Sequence, residues 1–257
     1  MVICKSAAEL EKMHRAGLIV WGALQEMRTM VKPGISTQKL DEFAEEYTRE
    51  HKAKPAFKGY RGYPGSVCTS INEEVVHGIP SPKRHVKEGD ILSLDFGVEL
   101  NGYFADAALT VPVGKIAPAR EKLLRVTRES LERAIEQARP GNRLGDISSA
   151  VQKWVEENGY SVVREFVGHG IGTRMHEEPQ IPNYGPAGQG PRLQEGMVLA
   201  VEPMVNQGGP GVRVLSDDWT AVTEDGSDSA HFEHTIAVTA KGPWVLTRPK
   251  EATGPVW

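Results

Sequence analysis

Cysteine is scarce in this sequence: Cys4 and Cys68 are the only two among 257 residues. Two thiols cannot make a disulfide framework, and such sparing use suits a reducing compartment. There is no run of 18 apolar residues, so no segment has the make-up of a membrane-spanning helix. Charge of one sign is not in excess either. The 30 Lys and Arg against 34 Asp and Glu leave a net charge of −4. A chain built mainly to hold nucleic acid would normally carry a basic surplus, so that class is disfavoured. The same balance, with 39% hydrophobic residues, excludes a disordered chain. The start, Met1-Val-Ile-Cys-Lys5, shows neither a long apolar core nor a small-residue cleavage site. The expectation is therefore a protein that stays in the cytoplasm.

What is present is enough for one large domain or two small ones, able to fold without disulfide or metal. Residues 7–30 place Leu10, Met13, Gly17, Leu18, Trp21, Leu24 and Met27 at helical spacing. Val31-Lys-Pro-Gly34 ends that helix, and Ser36-Thr37 opens a second that runs to about His51. A segment broken by Gly and Pro follows, carrying Phe57, Tyr60 and Tyr63. Residues 91–113 read as a β-hairpin about Asn101-Gly102, the strongest two-residue hairpin signal. Helical patterns return at about 118–139 and 143–158, and 161–249 reads as short strands.

This alternation suggests an internal duplication, with halves at about 7–113 and 118–249 forming one domain over 1–257. Pro33-Gly34 and Pro140-Gly141 each separate two helices and lie 107 residues apart. Glu88-Gly-Asp-Ile-Leu-Ser-Leu-Asp95 resembles Glu195-Gly-Met-Val-Leu-Ala-Val-Glu202 at the same offset. Two such halves would lie side by side in one sheet, and equivalent polar residues would meet near the pseudo-symmetry axis.

With a two-residue turn, Asp95 falls opposite Ala108 and Asp106 opposite Gly97. The two carboxylates then lie diagonally on one face, about 7 Å apart. Among Ile91, Leu94 and Phe96 they would repel unless a cation sat between them, the alternative being a solvated strand face. Glu202 follows the apolar run Met197–Val201, and Glu233 enters another in His231-Phe-Glu-His-Thr-Ile-Ala-Val238. An unpaired carboxylate is costly in either place. His169 lies between two glycines, which is compatible with a simple turn or with a ligand. Four carboxylates and one imidazole suit a pair of Mn-, Fe-, Co- or Zn-type ions better than one structural zinc. Missing motifs narrow the field further. His176-Glu-Glu-Pro179 breaks the zinc-helix pattern, and no serine elbow, P-loop or dinucleotide fingerprint occurs.

In order and in context, Asp95, Asp106, His169, Glu202 and Glu233 resemble the five metal ligands of the methionine aminopeptidases of the short, type I kind. Tyr63–Cys68, Asn72–Pro80, Gly168–Gly172, His176–Pro179 and Phe232–Thr235 match that family's strings as well. The resemblance runs from about residue 5 to residue 249. It implies an α+β pita-bread fold: duplicated halves, with a curved antiparallel sheet covered by two pairs of helices. It further implies two divalent ions (Co, Mn, Fe, Zn or Ni) and removal of the N-terminal methionine from nascent proteins and peptides. In that family a metal-bridging hydroxide attacks the first peptide bond, and a small second residue is preferred. By resemblance Glu202 also shuttles the proton, His77 and His176 contact the scissile amide, and Tyr60, Tyr63, Cys68, Met175 and Trp219 surround the methionine side chain. Deformylated nascent chains would be the substrate partner, with transient ribosome association and a monomeric state. The sequence departs from relatives at Ala107-Ala108, where a hydroxyl residue is common, and at His231, where Gln is common. Phe57 and Met175 stand where relatives often have Cys and Phe.

Three other readings are open to a chain of this pattern. A Xaa-Pro peptidase of the same fold would carry an extra N-terminal domain, whereas only about 90 residues precede Asp95. A type II methionine aminopeptidase would need an insertion between the last two ligands, and only 31 positions separate Glu202 from Glu233. A non-catalytic binding protein of this fold would show substitutions among the five ligands, and none is seen.

Overall fold

Ser6 sets the first helix. Its hydroxyl accepts from the Glu9 amide, while the Glu9 carboxylate accepts from the Ser6 amide at 2.8 Å, a reciprocal cap. The computed structural model describes residues 2–252, 254 and 257; Met1, Thr253, Pro255 and Val256 lie outside it, including the first residue of the expected 1–257 span. Helix α1 (Ala7–Met30) buries Leu10, Met13, Leu24 and Met27 as the spacing predicts. Leu18 is a correction: it is exposed, because the buried stripe centres on Met13, Val20, Leu24 and Met27 and leaves position 18 facing outward. Helix α2 (Thr37–Glu50) turns Leu40 and Ala44 inward together with Asp41, whose carboxylate accepts from the Ser66 and Val67 amides at 2.6 and 3.2 Å. That contact anchors the start of the second strand.

The strands follow the expected order. After β1 (Lys54–Pro55), a short 3-10 turn at Tyr60–Gly62, β2 (Val67–Ile71) and β3 (Glu74–Val76) comes the hairpin β4 (Ile91–Leu100) and β5 (Tyr103–Pro112). Asn101 and Gly102 both have positive φ, 52° and 82°, as a type I′ turn requires. Its register pairs Asp95 with Ala108 and Gly97 with Asp106, as the turn chemistry predicts. Helices α3 (Pro118–Gln137), with Pro at its first turn, and α4 (Leu144–Glu157) come next. The second run of strands is β6 (Ser161–Val162), β7 (Gly168–Gly170), β8 (Glu177–Ile181), β9 (Val198–Val201), β10 (Met204–Asn206), β11 (Val212–Val214), β12 (Ala221–Thr223), β13 (Ser229–His231), β14 (Glu233–Thr239) and β15 (Gly242–Val245).

Nine of these strands form one sheet of order β1-β4-β5-β14-β9-β7-β8, with β2 on β4 and β15 on β14. Its neighbours pair antiparallel. At its centre β5 meets β14, so β4 and β9, which carry the two similar Gly-led strings, lie symmetrically on either side. Leu92, Leu94, Phe96 and Val98 alternate along β4 and join the largest apolar cluster with Leu24, Leu40, Leu123, Ile147, Leu199 and Ile236. The helices therefore cover one face. Alternation leaves Ser93, Asp95 and Gly97 on the other. No helix among the described residues is long and apolar enough to cross a membrane.

Gly17 shows how closely α1 lies on the sheet's last segment. A Cβ there would stand 2.2 Å from the Leu246 carbonyl oxygen, the same oxygen that accepts from His14 Nδ1 at 2.8 Å. Gly17→Ala is expected to lower stability by about 1–3 kcal/mol through overpacking. Urea unfolding checks this, and a midpoint equal to wild type would show that the helix can lift away freely.

Candidate metal centre

Each strand delivers its polar residue to the sheet face away from the helices. Asp95 and Asp106 come from the hairpin, Glu233 from the first position of β14, and His169 from the middle of β7. Glu202 directly follows β9. The glycines flanking His169 allow this closeness: a Cβ at Gly168 would stand 2.4 Å from the Ala200 oxygen, and one at Gly170 would stand 2.2 Å from the Glu178 oxygen. Side-chain bulk there would push β7 off its neighbours.

His169 Nδ1 lies 2.9 Å from the Gly170 oxygen. A carbonyl only accepts, so Nδ1 donates and Nε2 of the neutral ring presents a lone pair. Nε2 faces Asp106 Oδ2 at 3.5 Å and Glu202 Oε1 at 3.6 Å. Ligand atoms of Asp106, His169 and Glu233 all lie within 4.8 Å of one another. The Asp95 Oδ1 atom is buried without a hydrogen-bond partner among the described residues. Four carboxylates and one imidazole nitrogen thus converge on one spot. Two donors each 2.0–2.2 Å from one ion stand about 2.9–4.3 Å apart, so this set fits a divalent cation.

Charge behaviour points the same way. Burial pulls His169 down, but hydrogen bonding to Asp106 and the charges of Asp106 and Glu202 outweigh it and lift the imidazole to about 9. Without a metal, a proton supplies the positive charge. Burial pushes the carboxyls of Asp95, Glu202 and Glu233 well above the usual carboxylate range, with the Asp106 charge adding to each. Thr235 steadies Asp106: its hydroxyl accepts from the Asp106 amide at 3.1 Å and lies 2.9 Å from Oδ1.

Above these groups is a cavity of about 330 Å³, lined by all twelve residues singled out in the sequence. His77 has φ of 62°, uncommon for a residue with a side chain and typical of functional positions. Its ring meets Phe166 and Trp219 edge-on, and burial lowers it to about 4. His176 stacks on Tyr60 and lies tilted against the His169 ring, with Nδ1 2.9 Å from the Tyr60 hydroxyl; burial and the His169 charge bring it to about 4 as well. Both rings are neutral at physiological pH. Tyr63 sits edge-on to Trp219 at 5.1 Å, its hydroxyl 3.0 Å from the Gly78 oxygen. Cys68 pairs opposite Asp95 across β2 and β4, and burial raises its thiol. Phe57 packs on Gly97, where a Cβ would stand 2.9 Å from the ring, and Met175 is buried beside it.

Phe166 and His231 also line the cavity without having been singled out for a role. Phe166 follows a charged pair, Arg164-Glu165, that carries no periodic signal. His231 registered in the sequence only as a departure. It is fully enclosed, its Nε2 is 4.0 Å from Glu202 Oε2, and neither ring nitrogen has a hydrogen-bond partner among the described residues.

An imidazole and four acids at the floor of a cavity are the make-up of a hydrolytic metalloenzyme. The model of metallopeptidase family M24 matches residues 11–240, and the chain belongs to that family. It is 54% identical to methionine aminopeptidase 1 of Bacillus subtilis (strain 168) over 96% of this chain and 100% of that protein. It is 52% identical to a methionine aminopeptidase of Clostridium acetobutylicum over 96% and 99%. Among solved structures, methionine aminopeptidase from Thermotoga maritima superposes with a TM-score of 0.96 at 48% identity, covering 97% of this chain and 100% of that one. Prolidase from Pyrococcus furiosus shares the fold at a TM-score of 0.75 and 24% identity, with 97% of this chain and 66% of that one covered. The expected α+β pita-bread fold is the one observed.

The raised groups set a pH dependence. Asp95, Glu202, Glu233 and His169 all bind protons more tightly folded than unfolded when no metal is present. Their contribution to stability is complete at low pH and is lost as pH rises from the ordinary carboxylate range upward. Divalent metal binds the deprotonated site and opposes that loss. The difference in Tm between Mn²⁺-loaded and chelator-treated protein is therefore expected to widen from pH 5.5 to pH 8, measured by scanning calorimetry. A constant difference would contradict the assignment.

Proposed function

We infer that this protein is a methionine aminopeptidase, a metal-dependent exopeptidase that removes the N-terminal methionine from peptides and nascent proteins. The observation that carries the reading is the convergence of His169 Nε2 with four carboxylates at the floor of an aromatic-walled cavity. Asp95, Asp106, His169, Glu202 and Glu233 would hold the metal, taken as two divalent ions from among Co, Mn, Fe, Zn and Ni. When bound, such ions supply Lewis-acid polarisation and lower the pKa of water.

The protein's own groups do the rest. Glu202, whose carboxylate lies between His169 and His231, takes the proton of the attacking water and returns it to the leaving amine. His77 and His176, neutral and walled by rings, donate hydrogen bonds to the scissile amide as negative charge develops on its oxygen. Tyr60 holds His176 in orientation through its hydroxyl. Tyr63, Cys68, Met175 and Trp219, with Phe57, form the slot for the methionine side chain. Contacts of sulfur with aromatic edges, at roughly 0.3–1.5 kcal/mol each, favour a thioether over a branched aliphatic group. Crowding by Phe166 and the two histidine rings supports a small second residue. On this reading 1–257 is a single catalytic domain of two halves, working as a monomer in the cytoplasm on deformylated nascent chains, with transient contact to the ribosome.

Purified protein with Mn²⁺ or Co²⁺ should release methionine from a Met-Gly peptide, and a chelator should stop it. No release with either metal would overturn the activity. Glu202→Gln is expected to retain most metal, by elemental analysis, while losing about 10²–10⁴-fold in kcat. Wild-type turnover in that variant would exclude Glu202 as the proton shuttle.

A further inference from the structure

One buried ion pair lies outside the metal centre and has no part in the chemistry above. Lys5 Nζ is 2.6 Å from Glu177 Oε2, with the two side chains 3% and 4% exposed. Burying both charges is costly, and an apolar pair would serve packing at least as well. Position therefore calls for an explanation. Lys5 belongs to the extended segment ahead of α1, where its amide donates to the Gly196 oxygen at 2.7 Å and its ammonium also donates to the Ile3 oxygen at 3.1 Å. Gly172 is the close neighbour: a Cβ there would stand 2.3 Å from Lys5 Cε and 2.7 Å from Glu177 Oε1. Only the bare backbone lets the ammonium reach the carboxylate.

The other oxygen of Glu177 closes a turn. Oε1 accepts from the Thr173 amide at 2.9 Å and the Arg174 amide at 3.2 Å. The Gly172 oxygen in turn accepts from the Phe104 amide of β5 at 2.8 Å. Residues 172–177 are thus tied to the hairpin at one end and to the chain's first segment at the other. Between those ties lie Met175, buried in the slot, and His176, stacked on Tyr60 and tilted against His169. Burial pushes the Glu177 carboxyl up, but Lys5 and the two turn amides outweigh it and keep the group ionised.

We propose that Lys5 is a positioning residue for the reaction: through Glu177 it fixes the 172–177 turn and so sets where Met175 and His176 stand relative to the metal donors. The proposal rests on the methionine aminopeptidase reading, and wild-type activity separates the two, since an inactive wild type fails that reading alone. Without Lys5, the bare Glu177 carboxylate is drawn toward water and the turn loosens. None of the five metal donors lies within that turn.

The test uses the full, Mn²⁺-loaded chain as wild type, Lys5→Met, Glu177→Gln and the double variant. Lys5→Met is expected to lower kcat/KM for a Met-Gly-Met-type peptide about tenfold or more, chiefly through kcat. It should also narrow the preference for methionine over leucine at the first position, with Mn²⁺ affinity by calorimetry within twofold of wild type. The double variant removes both charges yet keeps, in the side-chain amide introduced by Glu177→Gln, an oxygen able to accept from Thr173 and Arg174. It should therefore recover part of the activity and preference. A Lys5→Met enzyme with unchanged kcat/KM and preference, whatever its Tm, overturns the proposal. A loss of Mn²⁺ affinity matching the loss of activity also overturns it. Should Lys5→Met fail to fold, Glu177→Gln decides, since it breaks the same pair: lowered kcat and a narrowed preference support the proposal, and wild-type rate and preference there overturn it.

Discussion

Everything at this site follows from negative charge gathered where little water reaches it. Asp95, Glu202 and Glu233 sit on or beside apolar strands, with Asp106 among them, and a buried carboxylate is tolerated only when something positive answers it. His169 could answer by taking a proton, and in the metal-free protein its raised pKa says that it does. Its tautomer, set by Gly170, is equally suited to giving a lone pair to a metal. The same groups thus make an apo protein that leans on protons and a metal-bound protein that does not need them. The folding problem and the catalytic centre are one electrostatic problem with two solutions.

The layering of the fold makes that concentration of charge possible. Helices seal one face of the sheet with Leu, Ile and Val, so the alternate residues of each strand are free to carry polar groups toward the other face. The central β5–β14 pair brings the acid of one hairpin beside the acid of another. Neighbouring aromatic and sulfur side chains then wall the cavity and keep its dielectric low. In the reaction proposed above, low dielectric would strengthen each contact of the neutral His77 and His176 rings with developing charge.

Much of this was legible in the residues because local chemistry decided it. Asn101-Gly102 dictates its own turn, the turn dictates register, and register places Asp95 and Asp106 on a common face without any knowledge of the rest of the chain. The helices were legible from apolar spacing and Pro-Gly breaks, and the candidate site from strings carried along with the five proposed ligands. Leu18 was misplaced because an apolar residue at the border of a helical stripe can fall either way, and packing elsewhere settled it. The Lys5–Glu177 pair was invisible for a different reason. Its partners stand 172 positions apart, neither belongs to a periodic pattern, and each reads alone as an ordinary surface charge. The orphaned ring of His231 was equally hidden, since the number of its hydrogen bonds depends on what encloses it.

The two-residue turn of the hairpin also limits how this enzyme can diverge. Facing in a strand has a period of two, so the turn works as a parity counter between Asp95 and Asp106. Adding one residue at its tip, with both strands re-pairing to follow, would send one carboxylate to the helix side and split the pair. Lineages can exchange the tip residues among those that accept positive φ, or lengthen the loop by an even step or by a bulge that restores the count. Odd insertions without such a repair are closed to them. A loop about a dozen ångströms or more along the strand from the chemistry, by the usual rise per residue, thereby holds the two carboxylates on one face.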